Sequence, residues 1–235
     1  MDLAERSPEQ LSVVVAVLTR RRPGMLTATL GSFDRLVPPE GCSVRYLVVE
    51  NDDAPRARGI VEDRGGSLSG GPLDYVLETE LGIPFGRNRA AKHAIGTGSR
   101  LLAFIDDDEI VDPHWLRNLI RGYRQSGAML LGAPLRAAPA APDLGWTQRK
   151  LHQGIVARYA RKERRAARKA GLDGTPGVTI VTNNWLADTR IFSEHGIWFD
   201  EAMRFTGGTD AKLSADVKAK GLPTAWIRDA FVYET

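Results

Sequence analysis

A chain of 235 residues, 43% hydrophobic and 26% charged, has the composition of an ordinary soluble globular protein and can bury one good core, or one core plus a small subdomain. Its single cysteine, Cys42, excludes an intrachain disulfide framework, fits a reducing compartment and, with only four histidines, argues against a structural zinc site. The net charge of +3 is modest, no apolar run approaches the roughly 18 to 20 residues that span a bilayer, and the opening MDLAERSPEQ lacks the apolar core of a secretory signal, so a cytoplasmic setting is expected.

Residues 11–18, LSVVVAVL, form a continuous β-branched run that predicts a buried parallel strand. Thr19, Arg20, Arg21 and Arg22 follow at its carboxyl end. Leu26, Leu30, Phe33 and Leu36 then recur at helical spacing. A second strand over 44–49 ends in Glu50, Asn51, Asp52 and Asp53. A short helix is expected over 56–63, a Gly/Ser loop over 65–71 and a third strand over 73–77. A helix is predicted over 86–95, a fourth strand over 101–105, a helix over 113–124 and a strand over 128–135. Alternating strands and helices with apolar strands predict an α/β fold with a mostly parallel sheet.

Ligands on such sheets bind beyond the carboxyl ends of the strands. The polar groups after strands one, two and four all fall there, and the sharpest is AFIDDDEIVDPHWL, where an apolar run ends in Asp106, Asp107, Asp108 and Glu109. Carboxylates packed this closely repel, and a divalent cation is the simplest compensation. In an extended strand Asp106 and Asp108 share a face, and their hard oxygens suit Mg2+ or Mn2+. The alternative is an acidic turn before a helix, with Asp112 as its N-cap and Pro113 at its first position.

The second half begins with the break AAPAAP. Residues 145–171 carry nine Lys/Arg against one acid, Glu163, which leaves the remainder of the chain at about −5. Within them, 149–169 reads as a basic helix with Leu151, Ile155, Val156 and Tyr159 on one apolar face. It is suited either to anionic lipid headgroups or to solvent. No aromatic-interleaved pattern supports nucleic-acid binding. Strands are expected over 178–182 and 185–187, a helix over 211–220 stopped by Gly221, and final strands over 224–227 and 230–233. The chain ends at Thr235, directly after a predicted strand, so a further C-terminal segment is expected to be missing from it.

In order along the chain, these motifs resemble glycosyltransferase family 2, the GT-A fold that uses nucleotide-sugar donors, and among its members the non-processive bacterial exopolysaccharide enzymes. AFIDDDEIVDPHWL is similar to that family's DxD motif, VENDD to its base-binding acidic pair, GIPFGRNRA to the Arg-Asn segment after the third strand, and GIWFDEAMRFTGGTD to its acceptor-side segment. The resemblance implies a donor-binding half over 1–135 and an acceptor-binding half over 136–235 of one domain. It implies Asp108 as a direct metal ligand, supported by Asp106 and by Glu234, with Mn2+ or Mg2+ as cofactor. Thr19, Arg20, Glu50, Asn51, Arg87, Asp106 and Asp107 would bind the donor, a UDP-sugar first among the candidates. Asp210 would be the general base of an inverting transfer to a saccharide or lipid-linked acceptor lined by Asn183, Asn184 and Trp185. Asp210 equally suits a helix N-cap, Asn88 suits a helix cap, and Trp185 suits a core. Thr209 stands where the family usually has Glu, Asn51 stands in place of an aspartate, and no QxxRW follows, which argues against a processive synthase. Two other readings compete: a metal-dependent phosphotransferase, and a non-catalytic nucleotide- or sugar-binding relative. The expected location is cytoplasmic, peripheral at the inner membrane face.

Overall fold

The computed structural model describes residues 10–139, 145–172 and 183–234. In chain order they form β1 (Leu11–Thr19), α1 (Pro23–Phe33), β2 (Cys42–Glu50), α2 (Arg58–Glu62), β3 (Ser67–Leu68), β4 (Gly71–Leu77), α3 (Ile83–Gly96), β5 (Leu101–Asp106), β6 (Glu109–Val111) and α4 (Trp115–Ser126). There follow β7 (Leu130–Gly132), β8 (Leu135–Ala137), α5 (Trp146–Leu172), β9 (Trp185–Asp188), α6 (Arg190–Ser193), a 3-10 turn (Glu201–Met203), α7 (Thr209–Ala219), β10 (Thr224–Trp226) and β11 (Val232–Glu234).

An eight-stranded sheet runs β10-β7-β9-β5-β1-β2-β4-β3, parallel except for β3 at one edge and β9, which is antiparallel to both β5 and β7. Alternating side chains of β1 divide the core. Val13, Val15 and Val17 pack with Leu26, Leu30 and Phe33 of α1 and with Trp115 and Leu119 of α4. Val14, Ala16 and Leu18 pack with Ala90, Ala91 and Ala94 of α3 and with Leu213 and Val217 of α7. Helices on both faces explain why β1 is apolar throughout rather than alternating.

The register sets the site. Thr19 is paired with Glu50 across β1 and β2, and Leu18 with Asp106 across β1 and β5, so three strands end at one level. A second sheet, β6-β11-β8, closes over this edge, with Glu109 opposite Glu234.

Several elements differ from expectation. The strand expected over 128–135 is two strands in different sheets. Pro134, which has no N–H to donate, lies at the break, and its carbonyl accepts from Asn184 Nδ2 (3.0 Å) and Val232 N (3.2 Å). The Gly/Ser loop holds β3, hairpinned onto β4. The helix expected from Gly86 begins at Ile83 with Pro84 in its first turn. Asp112 is not the N-cap of α4. His114 is, and Asp112 Oδ1 instead accepts from His114 N (2.8 Å). The strand expected over 178–182 lies outside the described residues, as does part of the AAPAAP break.

Candidate active site

Asp106 ends β5, and Asp107 and Asp108 form the turn into β6. The extended geometry that would put Asp106 and Asp108 on one face therefore stops one residue too early. What holds the turn is a set of side chains from α1 and β1. Thr29 Oγ1 lies 2.8 Å from the Asp107 carbonyl and 2.9 Å from that of Glu109, and Thr19 Oγ1 donates to Asp107 Oδ2 at 2.7 Å. Asp107 is thus a structural acceptor beneath the turn. Arg22 reaches over it to Asp107 Oδ1 (3.1 Å) and Asp108 Oδ2 (3.2 Å), a cation lying against the acid pair. Arg22 belongs to the polar group expected after strand one, but the resemblance gives it no role and its contact with the acids is not legible in the sequence.

Two further acids complete the cluster. Glu109 is buried, accepts from Asp106 N through Oε2 (3.1 Å) and leaves Oε1 without a partner. Glu234, opposite it on β11, leaves a buried Oε2 without a partner. Burial, then Asp106, Asp108 and Glu234, push the Glu109 carboxyl well above the usual carboxylate range. Burial pushes Asp106 up to about 6, against the pull of Arg87, and burial followed by the charge of Asp108 raises Glu234. Among the described residues no three His, Cys, Asp or Glu side chains converge closely enough to cage an ion. The donor set is nonetheless all oxygen, mutually repelling, and carries an orphaned buried oxygen on Glu234. That fits a cation held by one or two carboxylates with its other positions filled by a ligand.

On either side of Arg22 lie two cavities. One, of about 490 Å³, is lined by Thr19, Arg21, Arg22, Pro23, Glu50, Arg56 and Ala57. The other, of about 610 Å³, has Asp106, Asp107 and Asp108 on its walls together with Arg20, Asn51, Gly82, Ile83, Arg204 and Phe205.

At the end of β2 the acids are occupied. Glu50, fully buried, accepts from Arg56 N (3.1 Å), Ala57 N (2.9 Å) and Tyr75 Oη (2.6 Å), and still forms part of the smaller cavity's wall. Asn51 departs from expectation: its amide donates to the carbonyls of Glu78 (3.1 Å) and Glu80 (2.7 Å) and accepts from Gly82 N (2.8 Å). It clamps the 78–82 loop with both amide hydrogens taken, which leaves only a second lone pair of Oδ1 for any ligand. Asp52, fully buried, gathers Arg20, Arg21 and Arg56, and hydrogen bonding from Arg21 above all holds its carboxyl well below the usual range. Arg20 lies half exposed 3.7 Å from Asp52, on the wall of the larger cavity.

Arg87, expected to bind donor phosphate or base, is enclosed and hydrogen-bonded within the protein. It is 2% exposed, with its guanidinium 5.4 Å from the ring centres of both Phe104 and Phe199. Its fork donates to Asp210 Oδ1 (2.5 Å), Thr209 Oγ1 (2.9 Å) and Asn183 Oδ1 (3.1 Å), with Asp106 Oδ1 3.9 Å away. Arg87 therefore joins the acid cluster to Asp210, in the first turn of α7. Thr209, in the position of the expected Glu, supplies one of the acceptors on Arg87. Asn88 caps nothing: its amide exchanges hydrogen bonds with Phe199 and donates to Glu201 Oε1, tying α3 to the segment that leads to Asp210.

Two of the three expected acceptor residues are core. Asn184 is fully buried, accepts from Trp115 Nε1 (2.8 Å) and donates to the carbonyls of Pro134 and Ala230. Trp185 is 1% exposed and packs between Phe104 (centroids 5.1 Å, interplanar 5°) and Phe199 (5.7 Å). Strand β9 lies between β5 and β7 with helices on both sides, so neither face of Trp185 reaches a ligand. Asn183 is half-buried against Arg87.

A mostly parallel sheet whose central strands end in acids beside two cavities is the layout of the GT-A class. The profile of the family described as "Glycosyl transferase family 2" matches residues 12–187, and the chain belongs to that family. It is 30% identical over 230 residues to the succinoglycan biosynthesis protein ExoM of Rhizobium meliloti (strain 1021), which covers 96% of this chain and 67% of that protein. Among solved structures it is similar to S. aureus TarS 1-349 (TM-score 0.67, 15% identity, 96% of this chain and 60% of that one). The same protein in complex with UDP gives a TM-score of 0.65 and in complex with UDP-GlcNAc 0.66, at 16% and 15% identity, with 95% of this chain covered in each case and 60% and 58% of those chains. At such identity the shared property is the fold, and the chain spans about 60% of the length of these solved chains.

Proposed function

We propose that this chain is a metal-dependent inverting glycosyltransferase that moves a sugar from a UDP-sugar to a saccharide or lipid-linked acceptor in polysaccharide assembly. The observation that carries it is the continuous polar seam from the level ends of β1, β2 and β5 through Arg87 to Asp210. The names of ExoM and of the UDP-bound TarS complexes favour this chemistry over that of a phosphotransferase.

The nucleobase is assigned to the smaller cavity, where Thr19 and Glu50 meet, and the diphosphate to the acid edge of the larger one, with Arg22 between them to follow its charge. Asp108, Asp106 and Glu234 would hold Mn2+ or Mg2+, which when bound stabilises charge on the departing diphosphate. Asp210 takes the proton of the acceptor hydroxyl. The hydroxyl oxygen bonds to the anomeric carbon as the bond from that carbon to the phosphate oxygen breaks, on the opposite face, and configuration inverts. Arg87 holds Oδ1 of Asp210 and leaves Oδ2 to receive the proton.

Exposed Trp146, Arg149, Lys150, Arg158 and Arg161 on α5 support a peripheral position on an anionic, cytoplasm-facing membrane surface. No helix of the described residues is long and apolar enough to cross a membrane.

The test is calorimetry with UDP-, GDP- and dTDP-sugars, with and without Mn2+ or Mg2+, on the native chain and on Asp210→Asn. Metal-dependent UDP-sugar binding is expected in both, with transfer abolished in the variant. Binding to neither, or phosphate release without any acceptor, would overturn the reading.

A further inference from the structure

Three consecutive arginines follow β1, and the strands on either side of β1 supply the acids that sort them. Arg20 Nε lies 3.7 Å from Asp52 Oδ1, and Arg21 donates from Nε to Asp52 Oδ2 (2.7 Å) and from Nη2 to Asp53 Oδ1 (3.3 Å). Arg22 goes the other way, from Nη1 to Asp107 Oδ1 (3.1 Å) and Asp108 Oδ2 (3.2 Å). Asp52 follows β2 and Asp107 follows β5, so Arg21 and Arg22 reach across opposite edges of β1. The reversal falls at Arg21, whose φ of 55° is the only positive value at a non-glycine residue among those described. A left-handed arginine is strained, and its bonds to Asp52 and Asp53 hold it there.

The acids on the far side of Arg22 are taken. Asp52 holds Arg20, Arg21 and Arg56, Asp53 holds Arg21 and Arg56, and Glu50 accepts from Arg56 N, Ala57 N and Tyr75 Oη. The backbone of Arg22 is fixed as well. It is the N-cap residue of α1, ahead of Pro23, and its carbonyl accepts from Leu26 N (3.0 Å). Its side chain is half exposed and lies on the walls of both cavities, so the guanidinium can change partners by side-chain rotation alone.

The carboxylates that Arg22 touches include Asp108, the expected ligand of the cation. A guanidinium and a divalent ion against one carboxylate repel each other, so one must give way. Turning toward the smaller cavity would set Arg22 beside Arg21 and Arg56, which is unfavourable unless an anion lies between them. A diphosphate supplies such an anion, with oxygens that a guanidinium fork matches.

We propose that Arg22 is a built-in counter-ion that competes with the divalent cation for Asp108 and is drawn off it by a diphosphate. One side chain thereby opposes the cation alone and favours it once the nucleotide is bound. The proposal rests on the glycosyltransferase reading and adds how its two ligands depend on each other.

The experiment measures Mn2+ binding to the full chain from the EPR signal of free Mn2+, without nucleotide and then with saturating UDP, for the native chain, Arg22→Met and Arg20→Met. UDP affinity in saturating Mn2+ is read by calorimetry. Arg22→Met is expected to bind Mn2+ without nucleotide about three- to tenfold more tightly than the native chain, while its UDP affinity falls by a similar factor and UDP enhances its Mn2+ binding less. Arg20→Met removes the same charge from the same cavity but not from Asp108, and should change nucleotide-free Mn2+ affinity by less than about twofold. A merely structural role for Arg22 would weaken both ligands rather than move them in opposite directions. If Arg22→Met binds Mn2+ alone no more tightly than the native chain, or Arg20→Met gains as much, competition at Asp108 is overturned and the glycosyltransferase reading stands. An unchanged UDP affinity in Arg22→Met shows that the guanidinium is not passed to the diphosphate and also overturns the proposal. Failure of the native chain to bind UDP in the presence of Mn2+ overturns the underlying reading, and the proposal with it.

Discussion

Replacing Arg87 by Met tests whether this residue is an internal strut or a donor ligand. The side chain is 2% exposed and makes hydrogen bonds to Asp210, Thr209 and Asn183 while lying between two aromatic rings. Methionine keeps much of the volume and the contact with Phe104 and Phe199 but removes the charge. Asp210 is then left largely enclosed, its side chain 14% exposed, with its cationic partner gone. Removing one member of a buried pair costs about 3 to 5 kcal/mol, most of it the penalty on the charge left behind. Denaturant unfolding of Arg87→Met should therefore show a loss of about that size. The double variant Arg87→Met, Asp210→Asn should recover about 1 to 3 kcal/mol of it, because the orphaned carboxylate is gone. UDP affinity, measured by calorimetry on the folded fraction, should change little. If Arg87→Met unfolds within about 1 kcal/mol of the native chain while UDP affinity falls tenfold or more, Arg87 is a phosphate ligand and the argument from burial is wrong.

Two other residues give independent checks. Asp188 is fully buried; burial works to raise its carboxyl, but hydrogen bonds from Arg190, Tyr123 and Arg100 outweigh this and hold it below the usual range. Its stabilisation is fully present above the unfolded-state value near 3.8 and is lost as pH falls through the lower folded-state value, so Asp188→Asn should cost about 2 to 3 kcal/mol at pH 7 and the gap from the native chain should narrow below pH 4 in acid unfolding. Asn51→Ala releases the 78–82 loop and should lower stability by about 1 to 3 kcal/mol and increase protease cleavage there, whereas loss of UDP affinity with unchanged stability would restore Asn51 to the nucleobase site.

What could be read from the sequence follows a physical division. Runs such as VVVAV and LLAFI are apolar throughout because helices cover both faces of the sheet, and that pattern is local, so the strands and their carboxyl-end clusters were legible. The partner of a polar residue is not local. Arg87 and Asp210 are 123 positions apart, and nothing near Arg87 distinguishes a guanidinium aimed at phosphate from one clamped on an internal carboxylate. Asn184 and Trp185 failed as acceptor residues for a related reason. A Trp in a polar context suits either a sugar or a core, and the choice depends on β9 inserting antiparallel between β5 and β7, which no pattern in the strand itself encodes. Pro134 was a missed local signal, since a residue without an N–H inside a predicted strand argues for a break.

The same division explains why the sequence shows Glu109 as part of the acid cluster but not what it faces. Glu109 looks like one more acid in a run, and only the pairing of β6 with β11 sets it against Glu234 and gives both an oxygen without a partner. That pairing arises where a segment after residue 200 folds back over the strand ends of the first half. The acid cluster comes from one stretch of chain, Glu234 and Asp210 from the other, and Arg87 of α3 joins the two. The early strand-end motifs therefore identify the fold, whereas Asp210, which Arg87 holds beside the acid cluster, is placed only once the second half has folded over the strand ends.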